Sequence, residues 1–185
     1  MKFVETHCHL DFDDYGEDRS EVVERSKKNG ISHFINIGID GKSSENSLEL
    51  AEAYPQFWAA AGWHPHDAKT FDASWLRRLL QHEKVVAVGE IGLDFYRNHS
   101  PEAVQRQVFI EQLEIAREFD LPVVIHSRSA ERQTFEILLE HGFANHPMVL
   151  HCFGGDWDEA QLFLRYGKFL SFNGRMTFKN SSTVE

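Results

Sequence analysis

The stretch Val88-Gly89-Glu90-Ile91-Gly92-Leu93-Asp94 combines the pattern of an apolar strand with a carboxylate, Glu90, that stands between small residues near the end of the strand. Four other short apolar runs end in the same way, each with histidine in place of glutamate. In a parallel α/β architecture all strands end on one face, so residues that are distant in sequence converge there. The residues that we expect to converge and to bind metal ions are His7, His9, Glu90, His126 and His151.

Short apolar runs alternate with amphipathic segments along the chain, which is the pattern of repeated strand–helix units and a parallel sheet. Seven strands are predicted, near Lys2–His7, Ser32–Ile37, Phe57–Gly62, Val85–Ile91, Pro122–His126, Met148–His151 and Lys168–Phe172. Six helices are predicted. Five of them are Asp18–Asn29, Ser44–Tyr54, Ala73–Glu83, Glu131–His141 and Asp158–Tyr166. The other, fourth in chain order, has Ser100 as its cap and Pro101 in its first position, and it runs to Asp120.

The predicted fold class is α/β, a (β/α)8 TIM-barrel type with seven of the eight strands in this chain. A closed barrel of this type typically uses about 250 residues, whereas this chain has 185. No linker or charge block suggests a boundary, so residues 1–185 are expected to form one domain. The tail from Phe178 to Glu185 is predicted to be a loop and the first turn of a seventh helix, capped by Asn180 or a nearby serine.

An open barrel leaves the edges of its first and seventh strands unpaired. We therefore expect either marginal stability of this chain or its association through those edges, and a monomer for the complete protein.

The composition limits the possible functions. A net charge of −10 argues against broad binding of nucleic acid through a basic surface, although divalent ions can supply local positive charge in a cleft. Cys8 and Cys152 are too few for a disulfide framework, which favours a reducing compartment. Polar residues interrupt the N-terminal apolar run, and no run is long enough to cross a bilayer. The expected location is cytoplasmic, without membrane association.

His7 and His9 lie two residues apart on a strand, so both imidazoles face the same side while Cys8 faces the other. Neutral imidazole binds first-row divalent metals. A His-x-His pair alone also occurs as the polar end of a half-buried strand, and the four further strand ends favour the metal site. Glu90 is placed to bridge two cations, and the alternative, a cap or a surface ion pair, fits its small neighbours less well.

Three residues are candidates for catalysis: Glu90, His64 and Arg128. His64, with its neighbour His66, can orient a substrate, act as an acid toward a leaving oxygen, or cap a loop. Arg128 lies on the same strand face as His126 and can bind an anionic group through its planar fork of donors, although a surface salt bridge is an even alternative.

Two aspartates, Asp11 and Asp94, are candidates for orienting the metal-bound imidazoles, and surface positions are as plausible for both. Five further histidines are interpreted as structural or solvated: His33, His82, His99, His141 and His146.

Five motifs together resemble those of the TatD family of metal-dependent hydrolases, within the amidohydrolase-like TIM-barrel superfamily. They are Thr6-His7-Cys8-His9-Leu10-Asp11, Gly62-Trp63-His64-Pro65, Gly89-Glu90-Ile91-Gly92-Leu93-Asp94, Pro122-Val123-Val124-Ile125-His126-Ser127-Arg128 and His151-Cys152-Phe153-Gly154-Gly155. The resemblance implies a two-metal phosphodiesterase that acts on DNA as a 3′-to-5′ exonuclease on single-stranded ends, with two Mg²⁺, Mn²⁺ or Zn²⁺ ions.

The resemblance also implies a role for each residue. His7 and His9 match ligands of the first metal, His126 and His151 match ligands of the second, and Glu90 matches the bridging carboxylate. His64 and Arg128 match positions near the scissile phosphate.

The family pattern continues to an eighth strand with a Glu-Thr-Asp-Ala-Pro type of motif, whose aspartate binds metal and acts as general base. This motif does not occur in the sequence. We therefore expect impaired turnover, since loss of a general base typically costs about 10²–10⁴-fold. Two alternatives stay open: a metal-dependent esterase or amidohydrolase, such as a D-aminoacyl-tRNA deacylase, and a non-catalytic metal-binding remnant.

Overall fold

Seven parallel strands form a single sheet in which each strand pairs with the next one in the chain. The structure is a computed structural model and describes residues 2–179. The strands are β1 (Phe3–Cys8), β2 (Ile31–Ile37), β3 (Phe57–Ala61), β4 (Val85–Asp94), β5 (Val123–Arg128), β6 (Met148–His151) and β7 (Phe169–Leu170). Consecutive parallel pairing with a helical crossover after each strand is the topology of the TIM barrel. The predicted fold class is therefore confirmed, and β1 and β7 are the two outer strands of the described residues.

Within the described residues, six α-helices cover the outer side of the sheet: α1 (Arg19–Lys28), α2 (Gly41–Ala53), α3 (Ala73–Leu79), α4 (Glu102–Glu118), α5 (Glu131–Glu140) and α6 (Trp157–Leu164). Short 3-10 segments occur at Asp13–Tyr15, Pro65–Thr70 and Gly174–Thr177. Aspartate side chains cap three of the helices by accepting a backbone N–H: Asp40 from Ser43 at 2.7 Å, Asp72 from Ser74 at 2.9 Å, and Asp156 from Glu159 at 2.8 Å. Between residues 2 and 179, no helix is both long enough and apolar enough to span a membrane.

The apolar core lies in two layers. The larger layer packs the helices against the outer face of the sheet, with fully buried side chains such as Phe57, Phe109 and Leu113. A small inner layer consists of Ile37, Ala60, Ala87 and Val124, one residue from each of β2 to β5. Val124 and His126 are two residues apart on β5 and share a face. The inner layer therefore lies directly below the polar ends of the strands.

Two glycines let β4 approach β5 closely enough to place Glu90 beside His126. A Cβ on Gly89 would lie 2.6 Å from the Cβ of Val124, and one on Gly92 would overlap the carbonyl oxygen of His126. Gly92 also has φ of +143°, a conformation that side chains with a Cβ rarely adopt. The prediction that small neighbours of Glu90 mark a crowded site is confirmed.

Several predicted boundaries are wrong, mostly where polar residues continue a strand. β4 runs to Asp94 instead of Ile91, and β5 runs to Arg128 instead of His126. Both strands are longer than predicted because Asp94 and Arg128 pair with one another across the ladder. By contrast, β7 contains only Phe169 and Leu170.

The helix predictions also need correction. α3 ends at Leu79, four residues early, and the predicted capping of α4 by Ser100 is wrong. The hydroxyl of Ser100 donates instead to the carbonyl of His66 at 2.8 Å, and Pro101 precedes the helix. The predicted helical turn beginning near Asn180 lies outside the described residues.

Candidate metal centre

Glu90 is the centre of the polar cluster at the strand ends. Its Oε2 lies 3.4 Å from Nε2 of His7, and its Oε1 lies 3.2 Å from Nδ1 of His126. The side chain is almost fully buried, and the Gly89–Glu90 peptide bond is cis. Burial acts to raise the pKa of Glu90, but hydrogen bonds with His126 and His7 outweigh it and hold the pKa well below its usual range. The carboxylate is therefore ionised and presents one oxygen to each side.

Among residues 2–179, potential ligand atoms form two groups that share only Glu90. His7, Glu90 and His151 make one group, and His64, Glu90 and His126 make the other, with the ligand atoms of each group within 4.8 Å of one another. Two imidazoles and a carboxylate are a donor set that first-row divalent metals accept. The residues present fit a pair of divalent ions with a bridging carboxylate.

His9 adds a further nitrogen to the first group. Its Nδ1 donates to the carbonyl oxygen of Ile37 at 2.9 Å, which leaves the lone pair on Nε2, 3.2 Å from Nε2 of His7. Burial and the neighbouring His7 lower the pKa of His9, so the ring is neutral. An imidazole whose second nitrogen is held by a backbone carbonyl is typical of metal ligands.

His151 stacks on His7, with ring centroids 3.3 Å apart and ring planes 11° apart. Burial, followed by the nearby His7, lowers the pKa of His151 to about 4 and keeps its ring neutral. Its Nδ1 lies 3.4 Å from the hydroxyl of Ser171, just beyond β7. The structure thus places His151 beside His7, whereas the resemblance pairs it with His126.

Asp94 holds His126 from the side opposite Glu90. Its Oδ2 accepts from Nε2 of His126 at 3.1 Å and from Nε2 of His66 at 2.9 Å, while Oδ1 accepts backbone N–H groups of Tyr96 and Arg97. Burial alone would lower the pKa of His126, but the hydrogen bonds with Asp94 and Glu90 raise it to about 9. Because Nε2 faces Asp94, Nδ1 is the nitrogen of His126 that is directed toward Glu90, and a bound cation would displace the proton that Nδ1 carries. The sequence-based interpretation of Asp94 as an orienting residue agrees with these contacts.

His64 is a buried member of the second group, and its hydrogen bonds favour a role as donor over a role as ligand. Its Nδ1 accepts the backbone N–H of His66 at 3.2 Å. Burial, followed by the nearby His126, lowers the pKa of His64 to about 3, so the ring is neutral and carries its proton on Nε2. While Nε2 keeps its proton, it can donate to a substrate oxygen.

Arg128 lies at the edge of the cluster with its guanidinium 4.1 Å from the ring centroid of Tyr96. It lines a cavity of about 360 Å³ together with His126 and His151. The alternative of a salt bridge is not observed, since no carboxylate pairs with Arg128 among residues 2–179.

Comparison with known proteins identifies the family. The model of the family described as TatD related DNase matches residues 4–185. The chain belongs to the TatD family. This is a family of metal-dependent hydrolases, and the resemblance based on the five motifs is confirmed.

Relatives and solved structures of the TatD family match most of the chain. The uncharacterized metal-dependent hydrolase YabD of Bacillus subtilis is 38% identical over 180 residues, which are 96% of this chain and 71% of YabD. The 3′-5′ ssDNA/RNA exonuclease TatD of Cronobacter sakazakii is 40% identical over 164 residues, which are 86% of this chain and 62% of that protein. The crystal structure of YJJV, a TatD homolog from Escherichia coli, has 31% identity and a TM-score of 0.89, covering 97% of this chain and 71% of YJJV. The chain therefore spans about two thirds of the length of its TatD relatives.

Two buried glutamines that sequence reasoning did not identify support this TatD-type site. Gln112 accepts from the backbone N–H of Trp63 at 2.7 Å and donates to its carbonyl at 3.0 Å. Gln105 makes the same pair of bonds with Asp94, at 2.8 and 3.1 Å. A polar residue on the apolar face of an otherwise amphipathic helix is the only signal that could have found them.

Asp11 has a different role from the one expected. Its carboxylate accepts from the buried amide of Asn36 at 2.7 Å, and Asn36 also accepts from the backbone N–H of Leu10 at 2.6 Å. Asp11 therefore ties the loop after β1 to β2 and hydrogen-bonds to no histidine among the described residues.

Proposed function

We propose that this protein binds two divalent metal ions and hydrolyses phosphodiester bonds of DNA at single-stranded ends, in the 3′-to-5′ direction. The observation that supports the proposal most strongly is the position of Glu90, whose two oxygens face two different groups of imidazoles. A carboxylate shared in this way is the usual bridge of two-metal hydrolytic sites.

In this proposal the ligands are His7, His9 and His151 on one side, His126 on the other, and Glu90 between them. The bound ions would activate a water molecule and neutralise the charge of the phosphate. His64 donates from Nε2 to a phosphate or leaving-group oxygen, and Arg128 binds a phosphate oxygen through its guanidinium. Asp94 keeps Nδ1 of His126 directed toward Glu90.

The names of the relatives support the choice of substrate. The Cronobacter protein is named as an exonuclease for single-stranded DNA and RNA, and the Bacillus protein as a metal-dependent hydrolase. The identity of the ions, the impaired turnover, the oligomeric state and the cytoplasmic location stay predictions.

The proposal is tested with protein that has been stripped of metal by a chelator and reloaded with Mg²⁺, Mn²⁺ or Zn²⁺. A single-stranded oligonucleotide labelled at its 5′ end is expected to shorten stepwise, and only with metal present. Glu90→Gln is expected to lose at least about 100-fold in rate, since even residues that only orient metal ligands cost 10–100-fold. Glu83→Gln is the matched control, because Glu83 is exposed and lies on the preceding turn.

Two results would contradict the proposal. One is cleavage that persists in excess chelator or in Glu90→Gln. The other is metal-dependent hydrolysis of aminoacyl esters or cyclic amides by a protein that leaves the oligonucleotide intact.

A further inference from the structure

The cavity beside the candidate metal centre has an unusual charge for this protein. The whole chain carries 29 acidic and 19 basic side chains. The cavity of about 360 Å³, however, has no carboxylate in its lining, which contains two imidazoles, two guanidinium groups and an aromatic ring: His126, His151, Arg128, Arg175 and Phe178. A local concentration of cationic donors in an acidic protein is the expected signature of a bound anion.

Arg175 is the cationic residue of this cavity that has no role in the candidate metal centre or in the proposed function. It lies in the 3-10 segment Gly174–Thr177 that follows β7, and its backbone N–H donates to the side chain of Asn173 at 3.0 Å. A Cβ on Gly154 would approach Nη1 of Arg175 to 3.3 Å, so the glycine leaves room for the guanidinium. Among residues 2–179 no carboxylate pairs with Arg175, whereas Arg77 and Arg117 pair with glutamates on the outer helices.

The two arginines approach the cavity from different sides. The guanidinium of Arg128 lies over Tyr96, which follows β4, while the guanidinium of Arg175 lies against Gly154, which follows β6. Because β4 and β6 lie on either side of β5, the two guanidinium groups contact different neighbours, and each can bind a phosphate group of its own.

We propose that Arg175 binds a second phosphate of the substrate, adjacent along the strand to the phosphate that Arg128 binds. This inference rests on the proposed function and makes it more specific. The site recognises a run of at least two linked phosphates, so it selects a polynucleotide over a nucleotide with a single phosphodiester. Arg175 is then a specificity-determining residue that contacts substrate outside the metal centre.

Binding is measured by fluorescence anisotropy with a labelled single-stranded oligonucleotide and the full chain, in a chelator so that cleavage does not occur. Arg175→Gln is expected to bind about tenfold more weakly, the usual effect of one charge-assisted contact to phosphate. The slope of log affinity against log salt is expected to fall by about 0.7. Arg175→Lys, which keeps the charge but not the fork, is expected to retain the slope and lose part of the affinity.

The matched control is Arg165→Gln. Arg165 is exposed at the end of α6, so this substitution removes the same charge at a position outside the cavity. Oligonucleotides with one neutral methylphosphonate linkage, moved along the strand one position at a time, identify the contacted phosphate. At one position the wild type is expected to lose about tenfold in affinity, while Arg175→Gln loses nothing further.

The outcomes separate this inference from the proposed function. If the wild type cleaves the oligonucleotide with metal but Arg175→Gln and Arg165→Gln bind it equally well, the second phosphate contact is wrong and the proposed function stands. If the loss of affinity from Arg175→Gln adds fully to the loss from the methylphosphonate at every position, the second phosphate contact is likewise wrong. If the wild type neither binds nor cleaves the oligonucleotide, both proposals are wrong.

Discussion

Replacing Gly92 by alanine tests whether the close approach of β4 and β5 sets the geometry of the candidate metal centre. Gly92 pairs with His126 across the ladder, and it lies between Glu90 and Asp94, the two carboxylates that hold the His126 ring. A Cβ at this position would overlap the carbonyl oxygen of His126, so the strands could accommodate it only by moving apart. The perturbation therefore reaches the site through the backbone and removes no functional group.

The size of the effect follows from the geometry. Cβ atoms essentially never approach other atoms within 3.0 Å, so β4 and β5 would have to separate by about 1 Å near His126. Overpacking of this kind costs about 1–3 kcal/mol, and a φ of +143° costs alanine about 1–3 kcal/mol more. The expected loss of about 2–6 kcal/mol in the free energy of unfolding corresponds to a fall in Tm on the order of 10 °C. A displacement of 1 Å at a catalytic centre can cost about 100-fold in rate.

Thermal unfolding and metal-dependent oligonucleotide cleavage measure the two effects separately. Gly167→Ala is the control, because Gly167 has φ of +67° but a Cβ there would meet nothing within 4 Å. This control is expected to lose about 1–2 kcal/mol in the free energy of unfolding. Its cleavage rate, corrected for the fraction of folded protein, is expected to equal that of the wild type. If Gly92→Ala unfolds and cleaves like the Gly167→Ala control, the close strand contact does not position the site.

Three further outcomes are expected. His64→Ala keeps its full metal content by elemental analysis but cleaves about 100-fold more slowly, because a neutral donor is removed and no ligand is lost; loss of one ion would show that His64 is a ligand. Gln112→Leu loses about 2–4 kcal/mol in urea unfolding, since it leaves the N–H and C=O of Trp63 unpaired, whereas the exposed Gln107→Leu stays within about 0.5 kcal/mol of wild type. Mn²⁺ at about 100 times its Kd stabilises the wild type by about 2.7 kcal/mol and leaves Glu90→Gln nearly unchanged; equal stabilisation of both would place the ion elsewhere.

The order and type of the strands could be predicted because each central strand is buried on both faces and is therefore apolar along its length. The same criterion failed at the strand ends that carry the site. β4 and β5 continue as far as Asp94 and Arg128 because these residues pair with one another, and a hydrophobic pattern does not register pairing between polar residues. In β7, by contrast, the sequence predicted a strand over Lys168–Phe172, but only Phe169 and Leu170 pair with β6.

The candidate ligands could be predicted because parallel strands end on one face whatever the loops do. The sequence could not predict which of these ligands lie in the same group, because that depends on the backbone and side-chain atoms that hold each imidazole ring. The carbonyl of Ile37 directs Nε2 of His9 toward the centre, and Asp94 directs Nδ1 of His126 toward Glu90. Arg175 escaped prediction for a similar reason, since only the path of the chain after β7 brings it to the cavity.

The two buried glutamines show how a helix outside the site controls its geometry. Gln105 and Gln112 are seven residues apart on α4, so they lie on the same face, two turns from each other. One holds both backbone groups of Asp94, at the end of β4, and the other holds both backbone groups of Trp63, which precedes His64. Because α4 is a continuous helix, it fixes the spacing between the backbone of His64 and that of Asp94. The distance from His64, the proposed donor to substrate, to Asp94 is therefore set from behind the sheet, by side chains that contact none of the candidate ligands.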